Sequence, residues 1–260
     1  MQLRVIHWNI KMYCDIIKII EYIKPQIKNN SIINLQEVTI ESFTKIKDFL
    51  DEKSICSLNY RKPGIYEGNN RKIGVVTLVY GGDIHKSSLL RTSVFPERSL
   101  ITVIDFNGFY ITNFTFHSLT GCDYKKAKSS NFASIASFLA TNKIDIFSCD
   151  ANEPKIDSLD EDLVECFDNR DNGKNASYLF GKNRIHSLVD SYKWYANKKS
   201  LKLESGYTHI TGGKMKRYDF IYGNPNWKIK SSKTSYNDSI AASSDHSILI
   251  TDYLVNEEDV

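Results

Sequence analysis

Short runs of hydrophobic residues, many alternating with polar ones, dominate the chain and predict strands. The clearest case is a pair of apolar runs, 101–106 and 109–116, separated by Asn107 and Gly108. Asn-Gly supplies the positive φ angles that a tight hairpin turn requires, so this pair predicts a β-hairpin. The other predicted strands are 2–7, 32–35, 74–80, 144–148, 217–222 and 248–253, with a further short element at 187–192.

Three segments instead carry hydrophobic residues at helical spacing. Ile16, Ile17, Ile20 and Ile23 form one apolar stripe, which Pro25 interrupts. The segments 39–50 and 125–139 show the same spacing. Since strands outnumber helices and several neighbours are joined by short turns, the pattern predicts a layered α/β domain with mixed or antiparallel sheets. A doubly wound parallel sheet is not expected.

Composition places the chain in the ordinary globular class. It has 260 residues, of which 41% are hydrophobic and 25% charged, with a formal net charge of +3. No Pro, Gly or Ser linker divides it, so we expect a single domain over residues 1–255 followed by a short acidic tail at 256–260. No stretch resembles a signal peptide or a membrane span, which predicts a cytoplasmic protein with no membrane partner.

Cysteine usage argues against a zinc centre. The five cysteines are scattered and none lies in a C-x-x-C pair, so neither a zinc site nor a disulfide framework is indicated. We expect buried thiols in a reducing compartment.

Polar residues follow or end several of the predicted strands, and this pattern carries the chemistry. They are Asn9, Gln36, Glu37, His117, Asp150, Asn152, Asp219, Asp245 and His246. Strand ends in layered α/β folds commonly meet at one shared rim. Carboxylate and amide oxygens without thiolates suit Mg²⁺, with Mn²⁺ as a substitute, and imidazoles can donate to a phosphoryl group. The residues predict metal-assisted hydrolysis of a phosphate ester.

Six motifs in the same order resemble the endonuclease/exonuclease/phosphatase superfamily. Together they extend over almost the whole chain. They are Trp8-Asn9-Ile10, Leu35-Gln36-Glu37-Val38, Phe116-His117-Ser118-Leu119, Cys149-Asp150-Ala151-Asn152-Glu153-Pro154, Arg217-Tyr218-Asp219-Phe220-Ile221-Tyr222 and Ser244-Asp245-His246.

This resemblance implies a four-layered α/β sandwich, in which two facing mixed sheets are flanked by helices and share one pocket at their edge. It also implies a role for each matched residue. Glu37 would bind the metal, with Asn9, Asp219 and Asp245 close to it. Asp150 and Asn152 would orient the attacking water. His246 would donate to the phosphoryl oxygens, held in one tautomer by Asp245. Asn9, Asn152, His117 and Arg217 would contact the substrate phosphate.

Each motif also has a plain structural explanation when it is taken singly. Asp150 and Asn152 suit an Asx turn, Asp245 suits a cap, and His117 suits a satisfied core histidine. Arg217 can equally be a solvent-exposed strand residue without a role in binding. Four histidines have no motif and are expected at the surface or in the core, namely His7, His85, His186 and His209.

Local charge gives the best indication of the substrate. Residues 193–233 contain ten basic side chains against two acids, and they flank the Asp219 motif. This stretch can follow a phosphodiester backbone, or it can balance the acidic segment 157–171. We therefore expect a monomeric Mg²⁺-dependent nuclease acting on DNA or RNA. The alternatives are a phosphatase or phosphodiesterase acting on an inositol phosphate or cyclic nucleotide, and a non-catalytic binding module with the same fold.

Overall fold

A computed structural model describes residues 1–50, 53–61, 71–120 and 125–255. The predicted acidic tail at 256–260 lies outside these residues. The described chain forms fourteen strands and six helices. The strands are β1 (Gln2–Asn9), β2 (Ser31–Val38), β3 (Lys53–Cys56), β4 (Gly74–Tyr80), β5 (Asp83–Ser88), β6 (Ser99–Phe106), β7 (Phe109–His117), β8 (Ile146–Asp150), β9 (Val189–Asp190), β10 (His209–Thr211), β11 (Lys214–Lys216), β12 (Asp219–Gly223), β13 (Lys228–Ser235) and β14 (Ile248–Leu254). The helices are α1 (Ile16–Ile23), α2 (Ile40–Leu50), α3 (Lys125–Thr141), α4 (Lys174–Ser177), α5 (Ser191–Lys198) and α6 (Tyr236–Ala241).

Within the described ranges the strands build two six-stranded sheets and one small hairpin. The first sheet has the order β13-β14-β1-β2-β4-β3, and the second has the order β5-β6-β7-β8-β12-β9. Both sheets are mixed, because β1 is parallel to β2 and β7 is parallel to β8, while the other neighbours are antiparallel. Strands β10 and β11 form the hairpin. The predicted mixed layered fold is confirmed.

Helices cover the outer face of each sheet. Residues of α1 and α2, such as Ile19 and Phe43, pack on outward side chains of the first sheet that include Ile6 and Trp8. On the second sheet, α3 contributes Phe132 and three neighbours to a cluster with aromatic residues of β7, β8 and β12. The stacking of helix, sheet, sheet and helix is the four-layered sandwich that the motifs implied.

The inner faces of the two sheets change from apolar to polar along each strand. On β1 the inward residues run Leu3, Val5, His7 and Asn9, because alternate side chains point to the same face. The same change occurs on β2, from Ile32 to Asn34 and Gln36, and on β7, from Ile111 to Asn113, Thr115 and His117. The sandwich is therefore hydrophobic at one end and polar at the other, where the motif residues lie.

A buried hydrogen-bond network lies halfway along this inner layer. The Asn34 side-chain amide donates to Asn113 Oδ1 and Ser148 Oγ, both at 2.9 Å. Its oxygen accepts from Thr77 Oγ1 at 2.8 Å and from Asn113 Nδ2 at 3.1 Å. All four side chains are fully buried, so the network joins the two sheets below the polar end.

Two further sequence predictions concern features outside the site. No helix of the described residues is long and apolar enough to cross a membrane. Cys14, Cys56, Cys149 and Cys166 are free thiols, while Cys122 lies outside the described residues.

Candidate active site

The motif residues meet where strands of both sheets reach the polar end of the sandwich. Asn9 ends β1, His117 ends β7 and Asp150 ends β8. His117 and Asp150 are direct partners in the β7–β8 register, and Asp150 is paired with Asp219 in the β8–β12 register. The second sheet thus delivers three polar side chains in a row, facing Asn9 of the first sheet.

Hydrogen bonds from Asn9 connect the two sheets at this point. The Asn9 side-chain amide donates to Asp150 Oδ2 at 2.8 Å and to Glu37 Oε1 at 3.2 Å. His117 Nε2 lies 3.5 Å from Asp150 Oδ2 and 3.6 Å from Glu37 Oε1. Asp150 is almost fully buried, whereas a quarter of the Glu37 side chain is exposed. Glu37 is therefore the carboxylate of this group that reaches solvent, while Asp150 is enclosed by its neighbours.

Glu37 reaches this position through an irregularity in β2. Its φ is 59°, and the register between β2 and β4 shifts between Leu35 and Val38. Such a bulge turns the next side chain out of the regular alternation. Glu37 Oε2 also accepts a hydrogen bond from the Met12 N–H at 2.8 Å, which fixes the carboxylate.

Asp219 binds two histidines, one on each oxygen. His246 Nδ1 donates to Asp219 Oδ2 at 2.8 Å, and His7 Nε2 donates to Asp219 Oδ1 at 3.1 Å. This arrangement leaves His246 Nε2 directed toward Asp150 Oδ2, at 3.9 Å. Asp219 therefore sets the tautomer and the orientation of His246.

Electrostatics divide the titratable groups into three kinds. Burial alone would lower the pKa of His246, but the charges of Asp219 and Asp150 outweigh it and raise the pKa to about 10. Burial, reinforced by the nearby Asp219 charge, raises the pKa of Asp150 to about 7. Burial lowers the pKa of His117 well below its usual value, so this imidazole is neutral. The site thus holds a positively charged donor, a carboxyl that titrates near neutrality and a neutral imidazole.

Asn152 stands beside Asp150 on the loop that follows β8. Its backbone has a φ of 50°, and its N–H donates to Asp150 Oδ1 at 3.1 Å. Asparagine tolerates this left-handed conformation better than most residues. The structure therefore brings together Asn9, Glu37, His117, Asp150, Asn152, Asp219 and His246 at one end of the sandwich.

Two of the predicted roles need correction. Asp245 does not hold the tautomer of His246, because Asp219 makes that contact and the Asp245 carboxylate lies 3.8 Å from the exposed Lys11 ammonium. Arg217 does not offer its guanidinium to a phosphate. It is buried and donates to Asp157 Oδ2 at 2.7 Å and to both Asp190 oxygens, at 3.2 and 2.7 Å. Arg217 is thus a structural ion-pair residue.

Sequence analysis missed two histidines of the site. His7 is fully buried and was expected only in the core or at the surface, yet it supports Asp219 from below. His209 of the β10–β11 hairpin stacks on the His246 ring, with centroids 4.4 Å apart, and hydrogen-bonds the Asp245 carbonyl through Nδ1 at 3.1 Å. Inward alternation from Leu3 to Asn9 could have revealed His7, but the His209 segment carries no such signal.

Oxygen donors of the cluster fit a hard divalent cation. Asp150, Asp219 and His246 place possible ligand atoms within 4.8 Å of one another. Both oxygens of Asp219 accept hydrogen bonds from imidazoles, whereas the oxygens of Glu37 and Asp150 accept from amide N–H groups of Asn9, Met12 and Asn152, so a cation at Glu37 and Asp150 would leave both histidine contacts in place. Burial is the main cause that raises the pKa of Asp150, the charges of Asp219 and Glu37 add to it, and a divalent cation at these oxygens would favour the ionised carboxylate.

A groove of about 1410 Å³ opens beside Asn152 and leads away from the cluster. One wall is the β10–β11 hairpin, and the opposite wall includes the start of α3. Five lysines and one aspartate are among its lining residues, which include Lys125, Lys128, Lys155, Lys214, Lys216, Asp168, Phe167 and Tyr218. The groove is thus positively charged, with aromatic rings among its lining residues.

Some basic residues of the stretch 193–233 form ion pairs with the acidic segment, and others line the groove. Lys193 pairs with Asp157 at 2.8 Å, and Arg217 pairs with the same residue, so part of the stretch balances the acidic segment. Lys214 and Lys216 line the groove instead.

Comparison with known proteins identifies the fold. No protein family profile matches the chain, and no curated protein matches it in sequence. Solved structures do match. D. rerio TDP2 complexed with a single-strand DNA product is 12% identical, with a TM-score of 0.69 over 98% of this chain and 99% of that chain. An endonuclease/exonuclease/phosphatase from Bacteroides vulgatus is 15% identical, with a TM-score of 0.66 over 98% of this chain and 100% of that chain. The human nocturnin catalytic domain with a bound sulfate anion is 18% identical, with a TM-score of 0.65 over 98% of this chain and 95% of that chain. The chain therefore has the endonuclease/exonuclease/phosphatase fold that its six motifs indicated.

Proposed function

We propose that this protein is a Mg²⁺-dependent phosphodiesterase of the nuclease type, which hydrolyses DNA or RNA by in-line attack of water. The observation that carries this proposal is the buried cluster of Asp150, Asp219 and His246, which is joined through Asn9 to Glu37 and whose neighbours Asn152 and His209 line a basic groove. Carboxylates, amides and an imidazolium converging on one pocket match the requirements of phosphoryl transfer.

Asp150 is the residue placed to act on the attacking water. Its Oδ1 is oriented by the Asn152 N–H at 3.1 Å, so the carboxylate is held in place to take the proton of the attacking water. Asn152, whose side chain makes no hydrogen bond within the described residues, is free to bind the water and a phosphoryl oxygen. The two residues together align the nucleophile with phosphorus.

His246 is the residue placed to stabilise the charge that develops on the phosphoryl oxygens. Asp219 keeps it protonated, and its Nε2–H points toward the Asp150 side of the pocket. Neutral His117, 3.5 Å from Asp150, offers a second contact to the phosphate or the leaving oxygen. A charged and a neutral imidazole thus lie on the two sides of Asp150.

Glu37, Asp150 and Asn9 would hold the divalent cation. When bound, that cation would supply charge neutralisation and polarise the phosphoryl oxygen. In the structure the Asn9 amide group lies between the two carboxylates, at 3.2 and 2.8 Å. Rotation of that amide by half a turn would present its oxygen instead of its nitrogen.

The groove favours a polymeric substrate over a small phosphorylated molecule. Lys125 and Lys214 line it without an ion pair to any described residue, so their charges are available to further phosphates. The half-buried ring of Phe167 provides a surface on which a base can stack. The likeness in fold to TDP2, which binds a single-strand DNA product, supports the same choice.

A substrate panel tests the proposal. Wild-type protein with Mg²⁺ or Mn²⁺ is given supercoiled plasmid, an abasic duplex, single-stranded DNA and RNA, inositol phosphates and cyclic nucleotides. We expect cleavage of at least one polynucleotide, inhibition by EDTA, and losses of about 100-fold or more in Asp150→Asn and His246→Gln. Exposed Asn226→Ala is the matched control. Turnover of only the small phosphoesters would favour the alternative phosphatase or phosphodiesterase over the nuclease. Inactivity on every substrate would refute the proposal that the protein is an enzyme.

A further inference from the structure

The backbone of Asn152 is held from both sides, although its side chain is free. The residue has a φ of 50°, a conformation that needs support from its surroundings. Its N–H donates to Asp150 Oδ1 at 3.1 Å, and its carbonyl accepts from Lys128 Nζ at 2.7 Å. The direction of the Asn152 side chain is therefore set by its backbone, and Lys128 supplies one of the two contacts that fix that backbone.

Lys128 is an unusual residue at its position on α3. Its side chain is 1% exposed, in contrast with its neighbours Lys125 and Lys126, which are exposed. Its ammonium lies 5.8 Å from the centre of the Phe132 ring and 5.6 Å from that of Phe167. Burial of a charge is costly, and a hydrophobic residue of similar volume often packs at no loss of stability. The ammonium therefore has a purpose other than packing.

Glu153 neutralises the charge and extends the connection. Its Oε1 lies 3.0 Å from Lys128 Nζ and accepts from Asn169 Nδ2 at 2.7 Å, while Oε2 accepts from the Phe167 N–H at 2.8 Å. Glu153 is fully buried. Since Phe167 and Asn169 line the groove, the Lys128–Glu153 pair connects the groove wall to the backbone of Asn152.

We propose that Lys128 is a positioning residue for Asn152, and that Glu153 holds its ammonium against the Asn152 carbonyl. This inference rests on the proposed function, since Asn152 positions the attacking water in that reaction. Although Lys128 lines the groove, its ammonium is buried between Glu153 and the Asn152 carbonyl, so it acts through Asn152 and not on the substrate. Loss of its contact lets the loop relax, and a displacement of about 1 Å at the reacting atoms costs about 100-fold in rate.

A double-mutant cycle between Lys128 and Asn152 tests the proposal. We expect Lys128→Met to lower kcat by about 100-fold while KM changes less than about twofold, because the lost contact concerns the reacting geometry and not substrate binding. We expect Asn152→Ala to lower kcat at least as much. In the Asn152→Ala background, Lys128→Met then has no further effect, since the residue through which it acts is gone.

Companion variants separate positioning from stability. Lys128→Met leaves the Glu153 charge buried without its partner and lowers the melting temperature. The double variant Lys128→Met with Glu153→Gln removes both charges, so we expect its melting temperature to recover while kcat stays low. Lys128→Arg keeps the cation and should retain kcat within about threefold. Lys126→Met, two residues away on the exposed face of α3, is the matched control and leaves kcat and stability unchanged.

The outcomes distinguish this inference from the proposed function. If the two losses multiply in the double mutant, or if kcat recovers together with the melting temperature, Lys128 is a structural residue and the inference is refuted. Full activity of Asn152→Ala would refute it together with the role given to Asn152. Inactivity of the wild type on all phosphoesters refutes the proposed function itself. If Lys128→Met does not fold, the Arg variant and the charge-free double variant give the same comparison.

Discussion

Replacement of Asn34 by alanine should destabilise the sandwich through the buried network that joins its two sheets. Asn34→Ala removes four hydrogen bonds; Asn113 Nδ2 keeps its bond to Thr102 Oγ1, and three other groups lose the partner that Asn34 provides. They are Asn113 Oδ1, Ser148 Oγ and the Thr77 hydroxyl, whose bonds to Asn34 are 2.9, 2.9 and 2.8 Å long. A buried group without a partner costs about 1 to 3 kcal/mol. Since water can enter the space that is created, we take the low end of that range, about 1 kcal/mol for each of the three groups. We therefore expect the free energy of unfolding to fall by about 3 kcal/mol in total.

Urea unfolding followed by circular dichroism measures this loss. Asn113→Ala should cost a similar amount, because it breaks the bonds with Asn34 and also the 3.0 Å bond from Asn113 Nδ2 to Thr102 Oγ1. The double variant should cost clearly less than the sum of the two, since both residues belong to one network. Exposed Asn226→Ala is the control, with an expected effect below about 0.5 kcal/mol. A cost below about 1 kcal/mol for Asn34→Ala, or strict additivity, would contradict the reasoning.

Three further predictions concern the cation, the groove and pH. Added Mg²⁺ at ten times its Kd should increase the free energy of unfolding of the wild type by about 1.4 kcal/mol, which a higher melting temperature would show. Glu37→Gln should remove most of this gain, and an equal gain in the variant would disprove the ligand assignment. Replacement of both Lys125 and Lys214 by serine should raise KM about tenfold for a 15-residue oligonucleotide and leave a small chromogenic diester unchanged; equal effects on both substrates would exclude a polymer-binding groove. Burial lowers the pKa of His186 to about 3. Below a pH of about 6.5, this imidazole therefore takes up a proton in the unfolded chain but stays neutral in the folded protein. His186 should therefore lower the free energy of unfolding by about 2 kcal/mol between pH 7.5 and pH 5. Urea unfolding of His186→Phe at the two pH values should show a decrease that is smaller by this amount.

Much of the fold could be predicted because its central strands are buried on both faces. The run 74–80 is apolar except for Thr77, and the Asn107–Gly108 turn fixes its hairpin by backbone chemistry alone. Strands β3, β5, β10, β11 and β13 were missed. Each lies at an edge of its sheet and buries few side chains, so its sequence carries no hydrophobic period and its pairing depends on the backbone.

The site could be predicted in part for a related reason. Asn9, Glu37, His117 and Asp150 lie at the ends of recognisable strands, where local pattern indicates both the strand and its last polar residue. The contact between His7 and Asp219 joins residues 212 positions apart, and nothing in the neighbourhood of either one signals the other.

The same limitation explains the two corrected roles. Whether Asp219 or Asp245 binds His246, and whether Arg217 faces a phosphate or Asp190, depends on how the sheets are placed relative to each other. That placement is a property of the packed sandwich and has no local counterpart in the sequence.

The distribution of the site over both sheets has a consequence for the time at which the protein becomes active. Asn9, Asp150 and His246 are made in that order and far apart along the chain, and His246 comes just before β14. A growing chain can build the first hairpins and cover them with helices without assembling any complete site. Under the proposed function, hydrolysis would therefore begin only after synthesis has passed His246 and the two sheets have docked, and an unfinished chain would lack the complete site.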